Sequence, residues 1–472
     1  MHVIDLVIFA IYFLGVLAVG LYFYFKNENR DDYYVGGRSL SAGHVGMSIV
    51  ATDVGGGFSI GLGGLGFLMG LSGSWLLFSG LVGAWLAAVY TVPKLKALDD
   101  EDGMYTYPDF LARKFDARVA LIAAAISGIG YMGFTAAQIL AGAKLAAGTV
   151  FRTVDFMAPL DLSLYIMAGI VLIYTVLGGI KAVIYTDTIQ WIILLGGLLL
   201  LGLPFAWIDL GGWAVIRAEL PPEFFTLTNL TWTQFANWMF TILPIWFIAM
   251  TLYQRVYACR NVREAKRAFY MAGLLEYPIM AFLGVTLGML GRISFPAADS
   301  EMALPMFLND ILPVGIAGIV LASYFSAIMS TADSCLIASS GNIVNDIIEK
   351  YFARGKSDQF IMRTSQVVTL VIGGVALLLA SAFASVLDII LQAYAFMVSG
   401  LLVPTLMAYF AKETSTIAAL VSMLGGGGTT LVLIASGADL PFGLDPSIYG
   451  IALSAVLYSG TAALTRKGTT HA

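Results

Sequence analysis

Charge is what this sequence has least of. Only 12% of its 472 residues are Asp, Glu, Lys or Arg, while 59% are hydrophobic and the mean hydropathy is +0.86. Soluble domains carry about 25% charged residues, so the deficit excludes a soluble enzyme of several domains. Basic excess is missing too: a formal net charge of −5 leaves no cationic surface for nucleic acid. Two cysteines, Cys259 and Cys335, cannot build a disulfide framework, and with three scattered histidines they offer no zinc or iron site. No phosphate-cradling Gly-rich loop ends in Lys-Ser/Thr, which excludes an ATP-driven pump in this chain. No nucleophile–base pair is evident, so an enzyme is not expected. Neither a cofactor nor an obligatory protein partner is called for.

What is abundant is long apolar runs. A membrane-crossing helix needs about 20 mostly apolar residues. Thirteen stretches qualify, at about 3–25, 43–71, 74–98, 119–150, 160–180, 186–208, 234–256, 268–290, 313–345, 362–384, 387–410, 415–436 and 447–465. The first is too long, and too poor in preceding basic residues, for a cleaved signal peptide. The alternation of a β-barrel is absent. The fold class is therefore an all-α polytopic membrane protein of 13 transmembrane helices, embedded in a lipid bilayer.

Basic residues orient these spans. With the N-terminus outside and the C-terminus cytoplasmic, 21 of the 25 lysines and arginines fall on inner segments. Only Arg152, Arg217 and Arg292 fall outside, and Lys144 lies within span four, near its outer end, placed to snorkel. Such asymmetry is the positive-inside signature. Arg255, Lys96 and Arg38 count among the inner bases, and Asp99-Asp100-Glu101-Asp102 reads as a solvated inner loop.

Two spans carry breaks. Span two holds Gly55-Gly56-Gly57, which weakens the helical ladder at mid-membrane. Span seven holds Pro244, which removes a backbone hydrogen bond. Spans two and seven are five apart, so the pattern predicts two inverted five-helix repeats, spans 2–6 and 7–11. One transport domain then covers 1–472: a peripheral first helix and inner loop (1–41), a first repeat (42–208), a second repeat (233–411), and two peripheral helices with a tail (412–472). Paired breaks in inverted repeats mark a transporter's central site. Glycine-mediated packing plus an ordinary proline kink is the bland alternative.

Span nine supplies the polar chemistry. Ser323, Ala327, Ser330 and Ser334 share one helical face, and Thr331 adjoins it. Hydroxyls here, with carbonyls of Ala51 and Val54 freed by the break, make a weakly charged oxygen cage suited to a monovalent cation. Alternatively, each hydroxyl bonds back to its own helix. Acids within the bilayer are functional candidates. Asp53 lies just before the break, and Glu276 near the middle of span eight. Asp187 and Asp333 lie toward the inner side, Asp187 reading equally as a cap or first-turn residue. Asp388 opens span eleven at the solvated outer boundary. Trp75, Tyr131, Trp246, Phe247 and Tyr394 are aromatic candidates for a pocket or gate.

At these residues the sequence resembles the sodium:solute symporter family, whose fold is the LeuT-type inverted repeat. The likeness runs through Asp31–Leu40, Ala51–Gly57, Tyr107–Phe110, Gly178–Gln190, Tyr253–Ala258 with Glu264–Arg267, and Met329–Ser334. It implies a main sodium site of Ala51, Val54, Ala327, Ser330 and Thr331. It also implies, for some members, a second sodium site at the acid matching Asp187 with hydroxyls that match Ser330 and Ser334. Asp333 stands there in place of a hydroxyl. Asp53 matches an acid of the sodium/proline-type members, whereas Gly55 stands where those offer serine. Phe58 and Ser74 occupy positions where sugar-type members carry amide or acidic groups, which disfavours a sugar. Asp53, Gly55, Gly56, Phe58, Ser74, Trp75, Tyr131, Trp246, Glu276 and Tyr394 form the candidate substrate and gating set.

The expectation is sodium-driven symport of a small organic solute by alternating access, with an amino acid such as proline as the leading solute and Na+ as the coupling ion. Alternatives are a proton-coupled symporter of a monocarboxylate or vitamin-like solute, a transporter-fold sensor, and a channel. Short tails suggest a bacterial inner membrane.

Overall fold

The computed structural model describes residues 1–26, 31, 35–177 and 180–469. Arg30 and the motif residues Asp32, Tyr33, Tyr34, Gly178 and Gly179 lie outside the described residues. The helices run α1 (Val3–Lys26), α2 (Ala42–Asp53), α3 (Gly55–Met69), α4 (Trp75–Tyr90), α5 (Val92–Asp102), α6 (Tyr107–Lys114), α7 (Ala117–Gly148), α8 (Pro159–Leu177), α9 (Ile180–Gly197), α10 (Leu203–Asp209), α11 (Trp213–Glu219) and α12 (Trp232–Ile242). They continue with α13 (Ile245–Ile248), α14 (Met250–Ala258), α15 (Val262–Leu275), α16 (Phe282–Ser294), α17 (Ser300–Ile311), α18 (Ile316–Ile343), α19 (Asp358–Ala382), α20 (Val386–Phe410), α21 (Thr416–Ser436) and α22 (Pro446–Thr469). Among the described residues the strand-like pairing is one isolated bridge, Leu40 with Cys259. Starts follow capping chemistry. Asp116 accepts from the N–H of Arg118 and Val119, Asn261 from Glu264, and Ser385 from Asp388.

The chain is an all-helical integral membrane protein. Among the described residues nine helices are long and apolar enough to cross a membrane, or ten when the bent pair Trp232–Ile248 and Met250–Ala258 counts as one span. The shortfall from thirteen has a local reason. Gly55–Tyr90 runs on as one 36-residue stretch through a 3-10 turn at Gly70–Ser74, and the apolar cores Val3–Val16 and Pro159–Ile173 are short.

α18 is the central post. It is buried along almost its whole length and packs against α1, α7 and α9. Asp5 of α1 docks on its first turn, accepting from the N–H of Gly315 (2.6 Å) and Gly318 (3.0 Å). A carboxylate at a helix N-terminus meets both unpaired donors and the positive end of the dipole. α3 lies backbone against backbone on α16: a side chain at Gly288 would strike the main chain of Gly63.

Spans two, seven and eight are each interrupted. α2 stops at Asp53 and α3 starts at Gly55, whose φ of +44° only glycine adopts freely. The helix resumes at once, so the break is a sharp kink rather than a melted triplet. In span seven the ladder loosens at Pro244, but the extended residue is Ala249 (φ −69°, ψ 117°), where the axis bends by 42°. Losing the Pro244 N–H weakens the turn, yet the direction changes five residues later. Span eight carries a π segment at Glu276–Ala281 around Pro278.

Two inner features differ from the sequence reading. The acidic run is no solvated loop but the end of α5: Asp99 is buried and takes Lys96 (2.8 Å) and Arg38. Lys96 and Arg255 are not loop bases either, being 1% and 0% exposed. Buried charges persist only where partners replace water, and both have them.

Candidate functional site

Sodium ligands are oxygens brought together from separate helices, and the break supplies two helices' worth. Where α2 ends, the Ala51 carbonyl loses its place in the α-helical ladder and faces α18. The Thr331 hydroxyl donates to it at 2.8 Å and lies 3.0 Å from the Ala327 carbonyl. Three of the five expected ligands therefore converge across the α2–α18 contact. Ser330, one residue on, donates to the Asp187 carboxylate. Its lone pairs stay free for a cation. The Val54 carbonyl accepts from Phe58 N at 3.1 Å, as a helical bond. Gly55 sits directly on Thr331: a Cβ there would lie 3.1 Å from the Thr331 Cβ and 2.9 Å from its Cγ2. The kink is steadied from α7, where Gln138 accepts from Gly57 N at 2.9 Å.

Asp187 is neither a cap nor a first-turn residue. It stands mid-way along α9, fully buried, and accepts from Ser48 (2.5 Å) and Ser330. Arg255 lies 3.7 Å from the same carboxylate. Asp333 turns elsewhere, accepting from Thr175 of α8, with its second oxygen meeting no donor among the described residues. Ser334 accepts from Arg255 at 3.3 Å.

The substrate candidates divide into three groups. Phe58, Phe134 and Tyr394 form one aromatic cluster at the break, with centroids 5.3–6.5 Å apart. Tyr131 hangs beside it, its hydroxyl 2.9 Å from that of Thr251. Glu276 faces Asp53 in the second group, and a side chain at Gly80 would meet its carboxyl carbon at 3.6 Å and the Trp246 Nε1 at 3.8 Å. Glu276 pairs carboxyl to carboxyl with Asp53, and beyond that its oxygens, like Trp246 Nε1, meet no hydrogen-bond partner among the described residues. Trp246 also stacks edge-on against Phe269, 5.7 Å away. Gly56 packs on Ile328 of α18. Ser74 and Trp75 belong to a third group beneath the loop that carries Leu227: Trp75 donates to the Leu227 carbonyl (2.9 Å) and packs against Phe78, Phe235 and Tyr277. These contacts draw the pair toward that loop, apart from the Phe58 cluster.

Lys144 does not snorkel. It is buried, with its ammonium 2.7 Å from Glu301 and 3.0 Å from Asp299 of the α17 turn. Glu301 in turn accepts from Ser385 Oγ (3.2 Å) and the N–H of Val386 (3.0 Å), capping α20. Gln138, Arg255 and Glu301 were missing from the sequence-based set. The ionisable-in-bilayer rule that singles out Asp53 applies equally to Arg255, and an amide amid the apolar run of span four marks Gln138.

At this site a kinked helix offers a carbonyl to a hydroxyl on a buried neighbouring helix. Comparison with known proteins gives the class. The chain matches the sodium:solute symporter family over residues 33–426, and it belongs to that family. It is 28% identical to the high-affinity proline transporter PutP of Bacillus subtilis, across 94% of this chain and 95% of that one. It is 26% identical to the sodium/glucose cotransporter of Vibrio parahaemolyticus, across 98% and 90%. Its fold superposes on an outward-open, substrate-bound Na+-coupled sialic acid symporter with a TM-score of 0.80, covering 98% of each chain at 22% identity. Na+ is the coupling ion of this family, and the chain is a sodium-coupled symporter of a small organic solute.

Proposed function

We propose that the chain carries a small amine-bearing solute, an amino acid such as proline, together with sodium by alternating access. One observation carries the reading: the Thr331 hydroxyl spans from the Ala51 carbonyl at the break to the Ala327 carbonyl. In this reading sodium replaces the hydroxyl proton as the tie among these oxygens, with Ser330 and Val54 completing the cage. Hydroxyl and carbonyl dipoles without a full negative charge hold an ion firmly enough to bind and loosely enough to leave.

The solute binds next to the ion, at Gly55 and Gly56, against Phe58 and Tyr394. Asp53 and Glu276 face each other with no cation among the described residues beside them, which suits an ammonium group. The relatives PutP and OpuE of Bacillus subtilis are proline transporters, in keeping with an amino acid. Ion and solute favour the same closed arrangement, so each raises the other's affinity. Each cation crossing a −100 mV membrane releases about 2.3 kcal/mol, roughly a 50-fold accumulation.

The placement of 21 of the 25 lysines and arginines on inner segments supports thirteen spans with the N-terminus outside. Kinks in spans two and seven, at Gly55 and Ala249, are in keeping with inverted repeats over 42–208 and 233–411. A bacterial plasma membrane is in keeping with the relatives from Bacillus subtilis and Vibrio parahaemolyticus. Uptake of labelled proline into proteoliposomes tests the reading. An inward sodium gradient should drive it, and Ser330→Ala plus Thr331→Ala should abolish that dependence. Drive by a pH gradient alone would mean proton coupling, and binding without flux would mean a sensor.

A further inference from the structure

Gln138 on α7 is a wholly buried amide with its donor half unused. It is 0% exposed, and its oxygen accepts from the Gly57 N–H at 2.9 Å. That contact fixes which way the amide lies. Gly57 supplies a donor, so the oxygen faces it and the NH2 group faces elsewhere. Nε2 meets no acceptor among the described residues. It lies over Gly57, where a Cβ would strike it and would sit 2.9 Å from Ile390 Cδ1 of α20. Gln138 lies in none of the stretches that carry the family likeness.

A buried N–H without a partner is costly, and folded proteins keep few of them. The surroundings say what kind of partner is missing. One helical turn before Gln138, Phe134 joins Phe58 and Tyr394 in the aromatic cluster at the break. One turn after Ile390 comes Tyr394, which also neighbours Asp53 and Glu276. An amide donor from α7 and a carboxyl pair from α2 and span eight thus border one aromatic surface. An amino acid meets both needs from adjacent atoms: its ammonium donates and its carboxylate accepts. The bond from Gly57 polarises the amide and makes Nε2 the stronger donor.

We infer that Gln138 binds the solute's carboxylate through Nε2 and so selects amino acids over amines that lack one. The inference rests on the reading that an amine-bearing solute sits at the break. Gln138 then has two tasks: its oxygen holds the first turn of α3, and its nitrogen grips the solute.

Titration calorimetry of the purified full chain in sodium, with L-proline and with pyrrolidine, tests this. Pyrrolidine keeps the ring amine and lacks the carboxylate, so the unmodified chain should bind proline far more tightly. Gln138→Met removes the amide and keeps the length. It should weaken proline roughly 10- to 100-fold and leave pyrrolidine unchanged. It should also keep the sodium-specific rise in melting temperature, because the cage oxygens belong to other residues. Equal binding of the two ligands by the unmodified chain would overturn the inference, whether or not the variant folds. Unweakened proline in Gln138→Met, parallel weakening of both ligands, or loss of the sodium-specific rise would overturn it too, leaving Gln138 as a brace of the kink. Failure of both ligands to bind the unmodified chain would instead overturn the amine reading on which it rests.

Discussion

Lys144 and Glu301 form a buried ion pair, 2.7 Å apart, that joins α7 to the N-terminus of α20 through the short helix α17. Glu301 lies against Gly64 of α3 as well, so four elements meet at one carboxylate. Removing one partner of a buried pair typically costs about 3–5 kcal/mol, because the other charge is stranded. Lys144→Met should therefore lower thermal stability sharply, and adding Glu301→Gln should recover part of the loss. Unfolding of both variants in detergent, followed by tryptophan fluorescence, checks this.

Gly55 forms the kink between α2 and α3, and the geometry there leaves little room for serine. A φ of +44° costs an L residue about 1–2 kcal/mol, and the new Cβ would press on Thr331, 3.1 Å away. Gly55→Ser should weaken sodium dependence by displacing the Thr331 hydroxyl. Sodium titration of uptake should show a raised half-saturation concentration; an unchanged one would mean the kink tolerates a side chain.

Glu276 opens a π segment and pairs with the Asp53 carboxyl, with no other group meeting its oxygens among the described residues. If it receives a solute ammonium, that charged hydrogen bond is worth about 1.5–3 kcal/mol. Glu276→Gln should raise the half-saturation concentration for proline roughly 10- to 100-fold while leaving sodium binding in place. Competition assays with amines and with neutral analogues separate the two effects.

The break and the hydroxyl face were legible in the sequence. Consecutive glycines in an apolar run, and Ser323, Ser330 and Ser334 at helical spacing, are local signals. They lead directly to the contact of Thr331 with Ala51. What was not legible depends on partners distant in the chain. Arg255 reads as one more inner-loop base because a tally of lysines and arginines treats each as solvated. Its partners Ser48 and Asp187 come from α2 and α9. Lys144 reads as a snorkelling side chain until Glu301, 157 positions on, meets it. Aromatic orientation escapes too: Trp75 and Trp246 both sit beside breaks, yet one bonds the loop carbonyl of Leu227 and the other turns toward Glu276. Pro244 marks the right helix, but the bend falls at Ala249, since an alanine's backbone angles leave no trace in composition.

Sodium-dependent stabilisation of the purified protein is the most direct test of the cage. A ligand at 100 times its Kd adds about 2.7 kcal/mol to the folded state, so exchanging potassium for sodium at constant ionic strength should raise the melting temperature of the unmodified chain. Thr331→Val keeps the shape and removes the oxygen. Loss of the sodium-specific rise in that variant is the predicted result. An undiminished rise would contradict a sodium site built on Thr331, Ala51 and Ala327.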